Sequence, residues 1–395
     1  MIFIYELVQR EISHGHFTLT VLRMIAEAFP NKDMTIFADA SHLSAVLDEP
    51  DVLLDRRLNK IAYQAPDVPH GAFWRRLIAT FEFLRRTYSP VAKRRPQVVF
   101  LSTEPHHIWA VRLFKLFHPS FRCHMFLHGD INSIKNPRSR NPLHRARDYS
   151  TALANGNQRD VRFIVLENHI RTNLANLIPS AATVTDVVHH PCMPDNINWQ
   201  DFQPMAGRMR FGLLGIAGRS KGLDVFARLA KAVRQDAACR ADFRLVGKVQ
   251  AGNESLDMSG ISGPLPFSPE WLPRDLFDTE IEALHYVVLP YSMEYYGLSA
   301  SGVLLDVLRF RKPVIAFDTP MIRELAERFG DIGEICADEG AMQRAINDLL
   351  ACFDAERYAR QRLNLDAAYR SRLPEAAAAE YAHVQSTCWT AGQGV

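Results

Sequence analysis

The chain has 395 residues, a formal net charge of +2, and apolar and charged fractions of 47% and 23%. These ordinary values exclude a disordered, collagen-like or coiled-coil chain, and the length favours two domains over one. No uncharged apolar run approaches the roughly 18 residues of a membrane span, and the N-terminus lacks the features of a signal peptide. The six cysteines are scattered, which is typical of reduced thiols in a cytoplasmic protein.

Short apolar runs alternate with amphipathic stretches, a pattern that predicts parallel sheets covered by helices. In the first half, the strands are predicted at 2–8, 33–39, 97–102, 122–129 and 162–167, with a helix at 16–29. The proline-rich segment 189–208 has almost no periodicity and indicates a linker. Beyond it, further strands are predicted at 209–216, 242–248, 286–291 and 313–318, and a last helix from Pro374.

This alternation predicts an α/β protein with two domains in tandem, residues 1–195 and 206–373. Residues 1–205 carry 24 Lys/Arg against 19 Asp/Glu, whereas the remainder carries 22 against 25. The basic excess of the chain is therefore confined to the first domain.

A glycine-rich turn follows the strand at 209–216 and precedes an amphipathic helix. Arg219 and Lys221 lie at the start of that helix, where cations oppose the positive end of the helix dipole. A bound anion, shared by the side chains and the free N–H groups, would remove the conflict. The turn therefore predicts an anion site.

A second cradle is predicted where the strand at 286–291 ends and another helix begins. Ser299 and Ser301 are suitable helix N-caps, and Gly302 would let a ligand approach the backbone. Asp306, one turn further on, suits the acceptance of hydrogen bonds from the two hydroxyls of a ribose. The carboxyl ends of parallel strands are where open α/β sheets bind their ligands.

Three features together resemble the retaining glycosyltransferases of the GT-B fold, and most closely their family 4 (glycosyl transferases group 1). These features are the strand end at His128, the turn Gly218–Gly222, and the acidic Asp306 shortly before the sequence RKPVIAF. The resemblance implies two Rossmann-like domains that face a cleft. It also implies that the C-terminal helix, 374–395, crosses back to the first domain.

The resemblance implies roles for residues of the second domain. Arg219 and Lys221 match the basic pair that holds the donor diphosphate, and Asp306 matches the second of two family carboxylates. The first carboxylate falls on Glu294 when the segment EYYGLS is aligned, or on Leu298 when residues are counted back from the next strand. We take Glu294 as the donor-binding residue.

In the first domain, the resemblance places His128 beside the donor sugar, as a hydrogen-bonding partner of its hydroxyls. Asp130 lies at the same strand end. The loop His14-Gly15-His16, after the first strand, is expected to line the cleft near the acceptor.

The predicted activity is the transfer, with retention, of a hexosyl-type sugar from a nucleotide-diphospho-sugar to a hydroxyl acceptor. The acceptor would be a glycan or a lipid-linked molecule in bacterial polysaccharide or glycolipid synthesis. No metal or other cofactor is expected, because no Cys/His spacing supports a zinc site and the resembling fold works without one. Two alternatives stay open, a nucleotide-sugar 2-epimerase of the same architecture and a non-catalytic module that binds nucleotide-sugar or glycan.

A basic amphipathic stretch lies at 71–96. It combines an apolar stripe at helical spacing with seven Lys/Arg residues, and it predicts either a helix docked on an anionic membrane surface or a core helix with a solvated face. Nucleic acid is not an expected partner. We expect a cytoplasmic protein, with peripheral attachment to the inner face of the membrane if the first alternative holds. The stripe consists of Phe73, Trp74, Leu77, Ile78, Phe81 and Leu84.

Overall fold

The structure is a computed structural model, and it describes residues 1–47, 51–64, 72–128, 131–135, 141–154, 160–195, 197, 199, 208–237, 240–253, 255–263, 272–291 and 296–390. The chain separates into two compact units. The first unit comprises residues 1–193, 297–300 and 372–395, and the second comprises residues 194–296 and 301–371.

A parallel sheet of seven strands forms the centre of the first unit: β1 (Ile2–Glu6), β2 (Met34–Ala38), β3 (Leu58–Ala62), β4 (Gln97–Phe100), β5 (Cys123–Phe126), β6 (Val161–Val165) and β7 (Thr185–Val187). Their order across the sheet is β3-β2-β1-β4-β5-β6-β7. All residues of β1, β4 and β5 are buried, because helices cover both faces of the sheet. The strand order reverses between β1 and β4, the point at which such sheets bind ligands.

Nine helices in the described part of the first half of the chain surround this sheet: α1 (Gly15–Ala28), α2 (Ala40–Leu47), α3 (Val52–Asp55), α4 (Phe73–Thr87), α5 (Pro105–Phe117), α6 (Pro142–Arg145), α7 (Tyr149–Ala154), α8 (Asn168–Leu177) and α9 (Pro179–Ala182).

The second unit repeats the plan with six parallel strands: β8 (Met209–Ala217), β9 (Ala241–Val249), β10 (Ile261–Ser262), β11 (Tyr286–Leu289), β12 (Val314–Phe317) and β13 (Gly333–Cys336). Their order is β10-β9-β8-β11-β12-β13, so this sheet reverses between β8 and β11. The helices are α10 (Leu223–Ala237), α11 (Arg274–Glu282), α12 (Gly302–Arg309), α13 (Pro320–Phe329), α14 (Glu339–Ala351) and α15 (Ala355–Arg370). The expected fold class, α/β with two parallel sheets, is confirmed.

The last helix, α16 (Pro374–Thr390), packs on the first unit against α1, as expected. Its Tyr381 is fully buried and its hydroxyl lies 3.1 Å from His124 Nδ1 of β5. The Tyr381 ring also contacts Phe29, just beyond the end of α1, with centroids 6.1 Å apart. The long C-terminal helix is therefore an integral part of the first unit's core.

The basic amphipathic stretch forms α4 followed by a 3-10 helix, Ser89–Arg94. Phe73, Leu77 and Leu84 are buried, so most of the apolar stripe belongs to the core. Trp74 and Ile78 are instead 47% and 60% exposed. The stripe therefore belongs mainly to the core and leaves one edge on the surface, and docking on a membrane stays a prediction.

Candidate functional site

The turn between β8 and α10 depends on glycine. A short 3-10 helix, Arg219–Lys221, is closed by Gly222, which has a φ of 74°. A Cβ atom on Gly222 would lie 2.3 Å from the carbonyl oxygen of Pro290, a distance that no side chain tolerates. The turn can therefore pack directly against the end of β11, at the reversal point of the second sheet.

Lys221 is a half-buried cation with no counter-ion in the part of the chain that the structure describes. Burial lowers the pKa of its ammonium group, because the charged form loses solvation. The Nζ atom lies 3.8 Å from the point where a Cβ of Gly215 would stand, and Val303 Cγ2 lies 3.2 Å from the same point. The ammonium group is therefore a neighbour of the first turn of α12, and it is arranged to receive an anion.

Arg219 begins the same 3-10 turn, with an exposed side chain. No carboxylate among the described residues pairs with it. Two cations without partners thus stand before the N-terminus of α10, where the helix dipole disfavours them. An anion bound here would satisfy the cations and the free N–H groups together.

The start of α12 forms the other half of this site. Ser301 is its N-cap, and the side-chain oxygen accepts a hydrogen bond from Leu304 N at 3.2 Å. The Ser301 hydroxyl also lies 3.4 Å from the hydroxyl of Tyr291. No described atom outside the adjoining backbone lies within 4 Å of the Cβ position of Gly302, so nothing in the described part of the chain covers the first turn of the helix.

Asp306 lies one turn into α12, as the sequence indicated, but its carboxylate is engaged. It accepts a hydrogen bond from Arg274 at 2.8 Å. Arg274 also pairs with Asp278, which in turn pairs with Arg309. The role of Asp306 toward a ribose stays a prediction. A ligand bound there would share the Asp306 carboxylate with this network of ion pairs.

Ser299 does not cap α12, which corrects the sequence interpretation. Residues 297–300 belong to the first unit, where Ser299 Oγ accepts a hydrogen bond from Asn132 Nδ2 at 2.7 Å. Leu298 is 1% exposed within that unit's hydrophobic cluster. This burial explains why an apolar residue stands at one of the two positions considered for the first carboxylate.

In the first unit, His128 follows β5 at the carboxyl edge of the sheet. Its ring stacks on Phe17 of α1, with centroids 3.8 Å apart and an angle of 11°. Its Nε2 lies 2.6 Å from Nδ1 of His14, so the N–H of one imidazole donates a hydrogen bond to the other. Burial and the neighbouring rings of His14 and His190 hold the pKa of His128 well below its ordinary value. His128 is therefore neutral near pH 7 and is suited to hydrogen bonding.

The loop before α1 holds His14 in an unusual backbone conformation. His14 has a φ of 54°, and Glu11 in the same loop has a φ of 49°. Such left-handed conformations cost about 1 kcal/mol or more in residues other than glycine, and they are common at functional sites. Gly15 is buried against Val46, and His16 is exposed in the first helical turn.

Sequence reasoning missed Glu6, a carboxyl group at the end of β1. Glu6 is fully buried, and it accepts hydrogen bonds from the backbone N–H groups of Val8 and Gln9 at 3.0 and 3.1 Å. Ser102, just after β4, donates to its other oxygen at 2.7 Å. Burial raises the pKa of Glu6 to about 7. The available signal was one acidic residue within the otherwise apolar run IFIYELV.

Two predicted residues, Glu294 and Asp130, lie outside the described residues. Among the residues that are described, no group of three or more His, Cys, Asp or Glu side chains is arranged to hold a metal ion. No helix in the same part of the chain is both long and apolar enough to cross a membrane. Independence of metals stays a prediction.

Comparison with solved structures identifies the fold. Sucrose-phosphate synthase from Thermosynechococcus elongatus matches with a TM-score of 0.64 and 15% identity, over 99% of each chain. Anabaena HepE, solved in complex with UDP-glucose, matches with a TM-score of 0.61 and 15% identity, over 98% of this chain and all of that one. WaaG, a glycosyltransferase involved in lipopolysaccharide biosynthesis, matches with a TM-score of 0.64 and 11% identity, over 97% of this chain and 99% of that one.

No protein-family model matches the chain, and no curated protein matches it. The structural matches span nearly the whole of both chains, so the resemblance to GT-B glycosyltransferases is confirmed at the level of the fold. At 15% identity and below, these matches speak for the fold alone.

Proposed function

We propose that the chain is a glycosyltransferase whose second unit binds a nucleotide-diphospho-sugar donor. The observation that carries the proposal is Lys221, a half-buried ammonium group without a partner in the described part of the chain. It stands where the second sheet reverses, beside the open first turn of α12. The fold supports the proposal, since a solved structure of that fold, HepE, is a complex with UDP-glucose.

In this reaction, Lys221 and Arg219 bind the donor diphosphate. Their two positive charges neutralise the negative charge that grows on the leaving diphosphate when the glycosidic bond breaks. This electrostatic role requires no metal ion. The reaction proceeds with retention: the bond between the anomeric carbon and the diphosphate breaks, and the bond to the acceptor oxygen forms on the same face. The leaving diphosphate takes the proton of the acceptor hydroxyl, so we assign no protein residue as general base.

Four further residues are proposed to contact the donor. Gly302 and the cap residue Ser301 present the first amides of α12 to the donor, and Glu294 contacts the sugar. His128, neutral near pH 7, exchanges hydrogen bonds with sugar hydroxyls without adding a charge.

The acceptor is a hydroxyl of a glycan or of a lipid-linked molecule, in bacterial polysaccharide or glycolipid synthesis, and the loop with His14 lies on the acceptor side. A lipid-linked acceptor would require attachment to the inner face of the membrane. The exposed Trp74 and Ile78, with Arg75 between them, support such attachment.

The proposal is tested by incubating the protein with a panel of radiolabelled nucleotide-sugars, with and without a polyisoprenyl-linked or oligosaccharide acceptor. We expect sugar transfer that needs both substrates, and slow hydrolysis of one donor without acceptor. Formation of an epimerised nucleotide-sugar without acceptor would identify an epimerase instead. Donor binding with neither reaction would identify a binding module.

A further inference from the structure

The first unit contains a second concave site, at the edge of its sheet opposite to His128. A cavity of about 470 Å³ opens at the amino ends of the strands. Its walls come from the segments that precede β2, β4, β5 and β6. We call it the amino-edge cavity, and its lining residues include Lys32, Arg94, Arg95, Gln97, Ser120, Arg122 and Asp160.

The charges of the amino-edge cavity are unbalanced. Arg94 and Arg95 pair with no carboxylate among the described residues. Asp160 is the single acidic residue among the described lining residues, and it is shared between Lys115 at 3.0 Å and Arg122 at 3.4 Å. The basic side chains of the described lining outnumber it, so the cavity has a positive potential.

Two further details place positive charges beside the cavity. Lys32 Nζ lies 3.5 Å from Oε1 of Gln97, which is 6% exposed, so this cation has a neutral partner and its charge stays available to an anion. Arg95 is the C-cap of the 3-10 helix Ser89–Arg94, with a φ of 47°, and the chain turns there into β4 at the amino edge of the sheet.

We propose that the amino-edge cavity binds a small phosphorylated molecule, with Arg94 and Arg95 on its phosphate group. Arginine side chains bind phosphate well, because two of their N–H groups match two oxygens at once. The cavity volume falls within the range of small-molecule sites, which leaves room for an organic part beside the phosphate. The site is independent of the proposed function, since none of its residues belongs to the predicted donor or acceptor site.

The test measures binding of inorganic pyrophosphate by calorimetry at constant ionic strength. Because pyrophosphate would also bind at the predicted donor site, the measurement is made in the Lys221→Ala background. We expect the substitutions Arg94→Gln and Arg95→Gln, made together, to weaken binding by about tenfold or more. The matched control, Arg145→Gln with Arg147→Gln, removes the same charge from exposed positions outside the cavity and should leave binding unchanged.

The source of the phosphate is resolved by a second arm, co-sedimentation with vesicles that contain phosphatidic acid. If the vesicles capture the protein, and Arg94→Gln with Arg95→Gln abolishes this capture, the result would support the site. If free pyrophosphate does not bind at the same time, the ligand would be identified as a lipid headgroup. Equal binding by the cavity and control variants in both arms would overturn the proposal. Loss of all pyrophosphate binding on Lys221→Ala alone, with no capture by vesicles, would overturn it too and place the anion at the donor turn.

Discussion

At the scale of single residues, Glu6 shows how burial changes the chemistry of a carboxyl group. Its pKa of about 7 lies above the ordinary value of about 4.5, so the folded state retains a proton that the unfolded state releases. Between these two pH values the folded state holds more protons, and stability falls as the pH rises. Above about pH 7 the stability that depends on the protonated Glu6 is completely lost.

The substitution Glu6→Gln tests this linkage. Glutamine imitates the protonated form, since it can accept from the backbone of Val8 and Gln9 and donate to Ser102. Relative to wild type, we expect the variant to gain up to about 3 kcal/mol of unfolding free energy between pH 5 and pH 8, measured by urea unfolding. A difference between the two proteins that does not change with pH would show that Glu6 is charged in the fold.

His128 offers a second test at this scale. His128→Phe keeps an aromatic ring on Phe17 but removes the ring nitrogens, so we expect the transfer rate to fall by about 10–100-fold with an unchanged melting temperature. His118→Phe is a matched control, because His118 also stacks on a phenylalanine, Phe114, and lies outside the candidate site. Equal activity of the two variants would exclude a role for His128 in transfer.

The individual residues differ in how far the sequence reveals them. The sequence singles out Lys221 and Arg219, because cations before a helix oppose its dipole, and their role toward a diphosphate stays a prediction. Glu6 could not, since its partner Ser102 is 96 residues away and only the sheet brings them together. The ion pair of Asp306 with Arg274 was hidden for the same reason.

At the scale of secondary structure, strands in the middle of each sheet could be predicted and strands near the edges could not. The central strands are apolar throughout because both faces are covered. Among the missed strands, β3 has one buried residue in five, and β7 and β10 have only three and two residues. Their sequences carry no periodic signal, because edge strands bury little surface and are defined by pairing with a neighbour.

For α12, the substitution Asp306→Asn separates ligand binding from structure. We expect it to weaken the binding of a nucleoside diphosphate by about tenfold and to leave pyrophosphate, which has no ribose, unchanged. Asp278→Asn is the control, since it disturbs the same arginines from α11. If both variants change nucleoside diphosphate binding equally, Asp306 acts through the ion-pair network.

At the scale of the whole molecule, the basic excess of residues 1–205 bears on where the protein works. Trp74, Ile78 and Arg85 lie on one face of α4. Each basic residue near an anionic leaflet contributes about 1 kcal/mol to the free energy of membrane binding. We expect sedimentation with anionic vesicles that weakens with added salt and falls when Arg85 and Arg86 become Ser. Replacement of Trp74 and Ile78 by Ser should reduce it as well. Equal recovery with neutral vesicles would contradict membrane attachment through this helix.

The two-domain organisation could be predicted from the alternation of strands and helices, because each half supplies enough apolar surface for its own core. The assignment of residues 297–300 to the first unit could not. It depends on where Leu298 is buried, and the local sequence, GLSA, resembles any short loop. Long-range packing of this kind cannot be predicted from the sequence of a single segment.

The central claim, a donor diphosphate site at the turn with Lys221, is tested most directly by calorimetry with UDP, GDP and ADP. We compare wild type, Lys221→Ala, and Lys231→Ala, which removes an exposed cation from α10. For the nucleotide that binds tightest, we expect Lys221→Ala to lose about 1.5–3 kcal/mol, or roughly 10–150-fold in Kd, and Lys231→Ala to bind as wild type does. Equal affinity of Lys221→Ala and wild type, or no binding of any of the three nucleotides, would contradict the account.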